Sequence, residues 1–281
     1  MTIKMSMNFS VAMSVYKNDD PVFFDTALKS IIDLQTVKPT EIVLVVDGPV
    51  PEEINGVLAA YEARNAGLFK IIRLSENRGL GNALKLAVEN ASFELIARMD
   101  SDDIAIPTRF EEQLAYFETE PQTDIVGGDI TEFIDEPENL VGKRAVPLKH
   151  EEIYEYMKTR CAFNHVTVMY KRTAVLKAGG YLDCFWNEDY YLWIRMMEAG
   201  CVFANTGTVL VNVRVGKDMY RRRGGKKYYL SEKCLQQYML EKKIIDKKTY
   251  RVNVLKRWLV QRAMPNFLRG WVFRAFARKK A

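Results

Sequence analysis

Three carboxylates stand within four positions of this chain, at Asp100, Asp102 and Asp103. They follow directly on the apolar run 93–99, which has the composition of a short buried strand. In α/β sheets ligands bind at the carboxyl edge of parallel strands, and carboxylates crowded there repel one another unless a cation neutralises them. Oxygen-only ligands suit a hard divalent ion such as Mg²⁺ or Mn²⁺. The alternative is that Asp102 or Asp103 caps a helix that starts near Pro107.

A second acidic pair, Glu188-Asp189, opens a segment with helical spacing of its apolar residues. Taken by themselves, two acids at this position favour the N-terminus of the helix that follows.

The elements that must position these groups begin with four apolar runs of strand length in the first hundred residues. The predicted strands are 7–15, 41–46, 69–74 and 93–99. Helical patterns separate them, beginning at Pro21, at about Pro51 and within 77–82. Strand–helix units in succession predict an α/β fold with a doubly wound, mainly parallel sheet.

The pattern changes after Pro107. Helices are predicted from Pro107 to about 117, over 150–159 and 172–178, and from about 188 to 199. Strands are predicted over 124–134, 166–170, 201–205 and 208–215, with a bend or bulge at Gly127-Gly128 and a loop over 135–149.

One competing interpretation is a dinucleotide site, because Gly79-Leu80-Gly81 follows a strand and Asp100 lies about 20 residues further on. The third glycine position is occupied by Leu84, and the motif follows the third strand rather than the first. An acid that binds ribose also needs no further carboxylates behind it. These departures argue against an NAD(P)-dependent oxidoreductase.

Composition limits the class of protein. The chain has 281 residues, 48% of them hydrophobic, which is enough for a full core. Its four cysteines show no metal-ligand spacing and are typical of reduced thiols, so a cytoplasmic protein is expected. No signal peptide is evident, and no window approaches the ~18 apolar residues of a membrane-spanning helix.

The net charge of +5 conceals a division of the chain. Residues 1–216 carry 21 basic and 32 acidic residues, a net charge of −11, whereas residues 217–281 carry 20 basic and 4 acidic residues, a net charge of +16. We therefore expect a globular domain over 1–216 and a basic, helical extension over 217–281 that meets an anionic partner.

Five motifs stand in one order along the chain: SVYKND, VVDGP, ENRGLGNAL, DSDD and NEDYYLW. Together they resemble glycosyltransferase family 2, over about residues 8–215. The resemblance implies a GT-A fold and an inverting enzyme that uses a nucleotide-activated sugar. The opening MSVYKNDDP and the block FNHVTVMYKRTAVLKAGGY are most similar to bacterial members that build exopolysaccharide or O-antigen units.

The resemblance also implies where the donor binds. The first loop would lie against base and ribose, and the third would shape a turn beside the base or phosphate. The residues concerned are Ser14, Val15 and Tyr16 in the first loop, and Asn77, Arg78 and Gly79 in the third. Asp47 matches the acid that accepts a hydrogen bond from uracil, although it could simply form the Asp-Gly-Pro turn. Arg78 could equally be a solvated residue at a helix start.

Asp100 and Asp102 match the metal-binding motif of the family, with Ser101 between them in the donor site. Asp102 would bind Mg²⁺ or Mn²⁺ directly, and Asp100 would contact the ribose or a metal-bound water. The ion would stabilise charge on the leaving diphosphate. Asp103 is expected to support the metal ligands or to cap a helix.

Asp189 matches the family's general base, which would take the proton of the acceptor hydroxyl. Trp186 and Glu188 are candidate acceptor contacts on the same motif, whereas Trp193 at helical spacing is expected in the core. His165 could bind the acceptor or a phosphate, or could be a structural histidine with its hydrogen bonds satisfied.

The basic extension has two expected contacts. Residues 221–227 could close over the donor diphosphate or form a solvated loop. Residues 255–281 mix eight basic residues with aromatic ones and contain no acid, a composition that suits an anionic membrane surface. A helix packed on the globule is the alternative. The acidic catalytic part argues against nucleic-acid binding.

The sequence thus predicts a metal-dependent, inverting hexosyltransferase. It would move a sugar, galactose or glucose in preference to an N-acetylhexosamine, from a UDP-sugar to a saccharide acceptor linked to polyprenyl diphosphate. It would act as a peripheral protein on the inner face of the cell membrane. A non-catalytic nucleotide-sugar binding protein is the alternative class.

Overall fold

A computed structural model describes residues 7–184, 186–216 and 225–264 of the chain. Its first half alternates strands and helices: β1 Phe9–Val15, α1 Pro21–Ile32, β2 Glu41–Val46, α2 Glu52–Arg64, β3 Phe69–Arg73, α3 Leu80–Asn90 and β4 Leu95–Met99. The four strands are parallel and lie in the order β3-β2-β1-β4. Each strand therefore ends at the same edge of the sheet, which is the edge where β4 runs into the carboxylates.

Local sequence explains why this half folds as it does. β2 is buried along all but its first residue, as expected for a β-branched strand covered on both faces. Helix α1 starts where Asp20 accepts hydrogen bonds from the backbone amides of Val22 and Phe23, at 2.8 and 3.3 Å, with Pro21 as its first residue.

The second half extends the sheet beyond β4. It comprises β5 Ile104–Ala105, α4 Arg109–Thr119, β6 Ile125–Phe133, β7 Leu140–Arg144, α5 His150–Met157, a 3₁₀ turn His165–Thr167, β8 Met169–Lys171, α6 Arg172–Lys177, α7 Glu188–Glu198 and β9 Phe203–Arg214. The sheet continues β4-β8-β6-β9-β5, and β7 pairs with β6. β8 is antiparallel to both of its neighbours, and β6 is parallel to β9. The predicted α/β, mainly parallel architecture is confirmed.

Three details differ from the sequence prediction. The predicted loop 135–149 contains β7, whose apolar residues at 140 and 141 are exposed and so leave no alternating signal. The predicted strand 166–170 is a 3₁₀ turn followed by β8. The two strands predicted over 201–215 are one continuous strand, β9.

The glycine pair in β6 marks an irregularity, as its sequence predicts. The pairing register between β6 and β9 shifts between Gly127 and Asp129. A Cβ on Gly127 would lie 2.4 Å from Asn205 Oδ1, and one on Gly128 would lie 2.6 Å from the Leu210 side chain. Neither position therefore has room for a side chain.

The described part of the basic extension consists of α8 Lys226–Glu241, α9 Lys247–Trp258 and a π-helical turn Leu259–Ala263. Leu235, Met239 and Ile245 are buried in the same apolar cluster as Trp193 of α7. Glu232 and Arg257 form a largely buried ion pair between α8 and α9. This segment therefore packs against the preceding α/β part of the chain, and the boundary at 216/217 stays a prediction. Over the described ranges, no helix combines the length and apolarity needed to cross a bilayer.

Candidate active site

The second and third loops at the carboxyl edge are joined by Asp47. Its carboxylate is buried and accepts hydrogen bonds from the Arg78 amide at 2.7 Å, the Gly79 amide at 2.9 Å and Asn77 Nδ2 at 2.9 Å. Gly48 follows with a φ of +88°, and a Cβ there would lie 2.7 Å from the Asn77 nitrogen. The Asp47-Gly48 turn therefore holds the third loop in place, and both carboxylate oxygens are engaged by the protein.

The side chain of Arg78 is exposed and lies 3.6 Å from Glu76 in a loose ion pair. The guanidinium is therefore directed to solvent at the edge of the sheet, whereas the backbone of the same residue is fixed by Asp47. At this position Arg78 can contact the base or phosphate of a nucleotide, or can remain a solvated residue at the helix start, as both predictions stated.

The first loop is closed by Asp19, the last residue of the motif SVYKND, to which the sequence analysis assigned no role. Asp19 Oδ2 accepts a hydrogen bond from the Tyr16 amide at 3.0 Å and another from the Ser101 hydroxyl at 2.8 Å. Ser14 is partly buried, Val15 is buried, and Tyr16 is exposed at the end of β1. Ser101 therefore fastens the first loop to the carboxylate loop, a role within the protein beside its predicted place in the donor site.

The three carboxylates after β4 form one cluster. Asp100, Asp102 and Asp103 each offer an oxygen within 4.8 Å of the others. Partial desolvation, then the neighbouring charges of Asp100 and Asp19, raise the pKa of Asp102 to about 6. Three hard oxygen donors that repel one another fit a divalent cation, since a bound cation would remove the repulsion.

Asp103 has a structural partner. It is buried, and its Oδ1 accepts a hydrogen bond from the Arg214 amide at 2.8 Å. The Arg214 guanidinium in turn lies 3.7 Å from the ring centre of Phe23 and donates to the Asp135 carbonyl at 2.7 Å. Asp103 thus anchors the end of β9 to the carboxylate loop. The position before α4 is occupied by Thr108, so neither Asp102 nor Asp103 caps that helix.

The second acidic pair lies at the start of α7, across from the third loop. A Cβ placed on Gly81, in the first turn of α3, would contact Glu188 Cβ at 3.4 Å, so the two helix starts face each other. Desolvation, then the charge of Asp189, raises the pKa of Glu188 to about 7. Desolvation also raises the pKa of Asp189. A partly buried carboxylate of raised pKa is suited to take up a proton near neutral pH.

An aromatic pair flanks this helix start. Trp186 is 48% exposed, and its backbone has a φ of +56°, which is unusual for a bulky residue. Its ring centre lies 6.2 Å from that of Tyr228 on α8. The side-chain Nδ2 of Asn187 donates to the Ser231 hydroxyl at 3.0 Å, which ties the same loop to α8. Helix α8 therefore shapes the approach to Asp189, which the sequence analysis did not anticipate.

His165 lies beneath α7, against Trp193 on the buried face of that helix, rather than at the open edge. His165 Nε2 is 2.9 Å from the Tyr181 hydroxyl, and its ring packs near both Tyr181 and Trp193. Burial, and to a lesser degree Arg98, lowers the pKa of His165 well below its usual value. These contacts favour a structural histidine over an acceptor contact, and Trp193 is fully buried as predicted.

Asp19, Arg98 and Tyr228 contribute to this site although the sequence predicted no role for them. Arg98 is buried on β4 and forms an ion pair with Asp100. For Arg98 the available signal was a charged residue inside an apolar run. For Asp19 there was no such signal, because its partner Ser101 lies 82 residues further along the chain. Most of the predicted diphosphate-closing segment 221–227 and of the tail 255–281 lies outside the described residues.

The chain matches one protein family and several bacterial relatives in sequence. Residues 10–181 match the family model described as Glycosyl transferase family 2. A UDP-Gal:alpha-D-GlcNAc-diphosphoundecaprenol beta-1,3-galactosyltransferase of Escherichia coli is 34% identical over 271 residues, which cover 96% of this chain and 97% of that enzyme. The amylovoran biosynthesis glycosyltransferase AmsE of Erwinia amylovora is 36% identical over 233 residues, covering 83% and 85% of the two chains.

Solved structures share the fold at low sequence identity. S. aureus TarS 1-349 in complex with UDP-GlcNAc has a TM-score of 0.66 and 15% identity, with coverage of 90% of this chain and 73% of that one. The mannosyltransferase PcManGT of Pyrobaculum calidifontis, in complex with GDP-Man and Mn²⁺, has a TM-score of 0.62 and 14% identity, with coverage of 96% and 75%.

Proposed function

This chain belongs to glycosyl transferase family 2 and is a glycosyltransferase, and we propose that it moves galactose from UDP-galactose to a saccharide carried on a polyprenyl diphosphate in surface-polysaccharide synthesis. The observation that carries the proposal is the match to the Escherichia coli galactosyltransferase, which extends over almost the whole of both chains. Family membership also removes the oxidoreductase interpretation of Gly79-Leu80-Gly81. Glucose is the alternative sugar.

The nucleotide would lie along the loops that follow β1 to β4. Asp47 and Asn77 hold the second and third loops together, and Asp19 and Ser101 hold the first to the carboxylate loop. Both partners of each bond belong to the protein, so an edge held by these bonds would cost a donor little free energy to order.

Asp100 and Asp102 would hold a Mg²⁺ or Mn²⁺ ion, with Asp103 close enough to add a third oxygen. When bound, such an ion supplies positive charge that stabilises the departing diphosphate. Asp103 also keeps the loop in position through the Arg214 amide.

Asp189 would act as the base. The acceptor hydroxyl oxygen bonds to the anomeric carbon of galactose, the bond from that carbon to the diphosphate breaks, and the hydroxyl proton passes to the Asp189 carboxylate. One displacement inverts the anomeric configuration and leaves UDP as the second product. Trp186 and Tyr228, with Glu188 beside them, would bind the acceptor sugar, because aromatic rings pack well on the C–H faces of sugars.

The experiment is a transfer assay with the full chain, a synthetic GlcNAc-diphosphate-lipid acceptor, and UDP-galactose, UDP-glucose and UDP-GlcNAc as competing donors. We expect galactosyl product with UDP-galactose and Mn²⁺ or Mg²⁺, and none after EDTA. Preference for another donor would replace galactose in the proposal. UDP-galactose binding by calorimetry without turnover on any lipid-linked acceptor would favour the non-catalytic class.

We also propose that the enzyme works at an anionic membrane surface, where a lipid-linked acceptor would be found. On α9 and the turn after it, four apolar side chains are between 41% and 56% exposed: Val252, Leu255, Trp258 and Leu259. The exposed basic residues nearby are Lys247, Lys248, Arg251, Lys256 and Arg262. Apolar side chains beside basic ones match a bilayer interface with anionic headgroups, each basic residue contributing about 1 kcal/mol.

Vesicle flotation tests the membrane proposal. The full chain should float with phosphatidylglycerol vesicles and only partly detach in high salt, since salt screens charge but not apolar burial. The double variant Leu255→Ser/Trp258→Ser should lose most of this binding. Leu34→Ser, at an equally exposed leucine after α1, is the matched control. Equal flotation of all three proteins would contradict a role for α9.

A further inference from the structure

Arg98 is a buried cation inside the sheet. It lies on β4, two residues before Asp100, and only 2% of its side chain is exposed. One guanidinium nitrogen donates to Asp100 Oδ2, and its Nε has no hydrogen-bond partner among the residues that the structure describes. Burying a charge costs free energy unless the charge is paired, so an apolar strand that keeps an arginine here suggests a role at the site.

The strand alternation fixes the side of the sheet on which Arg98 lies. Ile96 belongs to the apolar cluster that includes Trp193 of α7, whereas Ala97 and Met99 belong to the cluster on the opposite face. Because side chains two residues apart share a face, Arg98 lies on the side of Ile96 and therefore on the side of α7. Helix α7 begins with Glu188-Asp189.

The Arg98 charge acts on both groups of carboxylates. It forms an ion pair with Asp100 on the donor side, and it lowers the pKa values of Glu188 and Asp189 on the acceptor side, against the opposing effect of burial. The backbone at Arg98 is itself fixed, because Arg109 donates from Nη2 to the Arg98 carbonyl at 2.6 Å.

We propose that Arg98 is a positioning residue that holds the Asp100 carboxylate in place and supplies a fixed positive charge beneath the gap between the metal-side carboxylates and the Glu188–Asp189 pair. The proposal rests on the proposed function and deepens it. Arg98 would link the donor and acceptor halves of the site, so that its loss weakens nucleotide binding and proton acceptance together. A residue that only stabilised the fold would affect neither selectively.

Arg195 offers a matched control. It is also a buried arginine, 7% exposed, and it lies on the same helix as the candidate base. Its guanidinium donates to the carbonyls of Ala178 and Gly180, at 2.6 and 2.7 Å, so its bonded partners are backbone carbonyls rather than a carboxylate. Replacing Arg195 should cost stability and leave the electrostatics of the site alone.

A pH dependence assigned to Asp189 also reflects the other charged and titratable groups around that carboxylate. In the part of the chain that the structure describes, these are Arg98 on β4, Arg144 on β7, Cys161 before the 3₁₀ turn, Tyr181 before α7, and Glu188 and Tyr190 on α7. Arg144 stays in place in every variant below, so a shift between variants reports the change at Arg98.

The experiment uses the full chain with Arg98→Met, Arg98→Lys and Arg195→Met. Calorimetry measures UDP binding in the presence of Mn²⁺, and kcat/KM for transfer from UDP-galactose is measured as a function of pH. Arg98→Met should weaken UDP binding by roughly 3- to 10-fold, because the Asp100 side chain, no longer held by Arg98, must then be ordered when the ion and the nucleotide bind. The acid limb of its pH profile should move upward by about one pH unit.

Arg98→Lys keeps the positive charge but loses the planar guanidinium group with its fixed hydrogen-bond donors. The acid limb of its pH profile should therefore match that of the wild type, whereas its UDP affinity should be only partly retained. Arg195→Met should lower the melting temperature and should change neither the UDP affinity nor the acid limb of the pH profile. The proposal is wrong if Arg98→Met and Arg195→Met behave alike, or if Arg98→Lys moves the acid limb upward by about one unit. If Arg98→Met does not fold, the acid limb of Arg98→Lys still tests the proposal.

Failure of the proposed function is recognised separately. A wild-type chain that does not transfer galactose refutes that function, whereas UDP binding with Mn²⁺ still tests the role of Arg98. In that case unchanged UDP affinity in both Arg98 variants overturns the inference.

Discussion

Replacement of Asp47 tests whether this carboxylate serves the third loop or the base of the donor. Asp47→Asn keeps the size of the side chain but puts an NH₂ group where the aspartate accepts from the Arg78 amide, the Gly79 amide or Asn77. Each lost bond to a charged group costs about 1.5–3 kcal/mol. Because the loop can turn part of its backbone to water, we expect a total loss of about 2–4 kcal/mol in the free energy of unfolding.

Urea unfolding followed by fluorescence measures this loss, and calorimetry with UDP measures the donor site in the same preparation. Asp33→Asn is the matched control, because the Asp33 carboxylate forms a surface ion pair with Arg64 at 2.9 Å. Such a pair contributes at most about 1 kcal/mol.

The two possible roles of Asp47 give different results. If the carboxylate mainly holds the loop, Asp47→Asn loses stability first and UDP affinity as a consequence. A variant that unfolds like the wild type but no longer binds UDP would refute this reasoning and assign Asp47 to the uracil ring.

The other predictions concern the chemistry. Asp189→Asn should keep UDP binding and lose turnover by about 10²–10⁴-fold, with the exposed Asp183→Asn as control, and normal turnover would rule out Asp189 as the base. Because burial raises the pKa of Asp189 and raises that of Glu188 to about 7, and because a base must be ionised, kcat/KM should rise with pH through the neutral range. A flat profile from pH 5 to 8 would contradict this. Asp102→Ala should abolish the dependence of UDP binding on Mn²⁺. Trp186→Leu should raise the acceptor KM by about tenfold and leave hydrolysis of the donor in water unchanged, as measured by UDP release.

The sequence carried most of the information about the first half of the fold. All four strands of that half agree with their predicted positions to within two residues, because apolar runs of strand length bounded by turn residues give a strong local signal. The strand β7 was missed because its apolar residues face solvent at the edge of the sheet. β5 has only two residues, which is too short for any pattern.

The site was less visible in the sequence than the fold. The motifs locate Asp47, the carboxylate cluster and Glu188-Asp189, since each follows a recognisable element. They do not reveal that Ser101 bonds to Asp19, 82 residues away, or that Trp186 lies beside Tyr228. Such contacts depend on how helices and loops pack in three dimensions, and a sequence read alone contains no local trace of them.

The anomeric configuration of the transferred sugar tests the proposed displacement mechanism directly. The full chain is supplied with UDP-α-galactose and a GlcNAc-diphosphate-lipid, and the product is examined by NMR through the coupling of its anomeric proton. A single displacement assisted by Asp189 predicts a β-linked galactose. An α-linked product would contradict that mechanism, and the absence of any galactosyl product would contradict the proposed function itself.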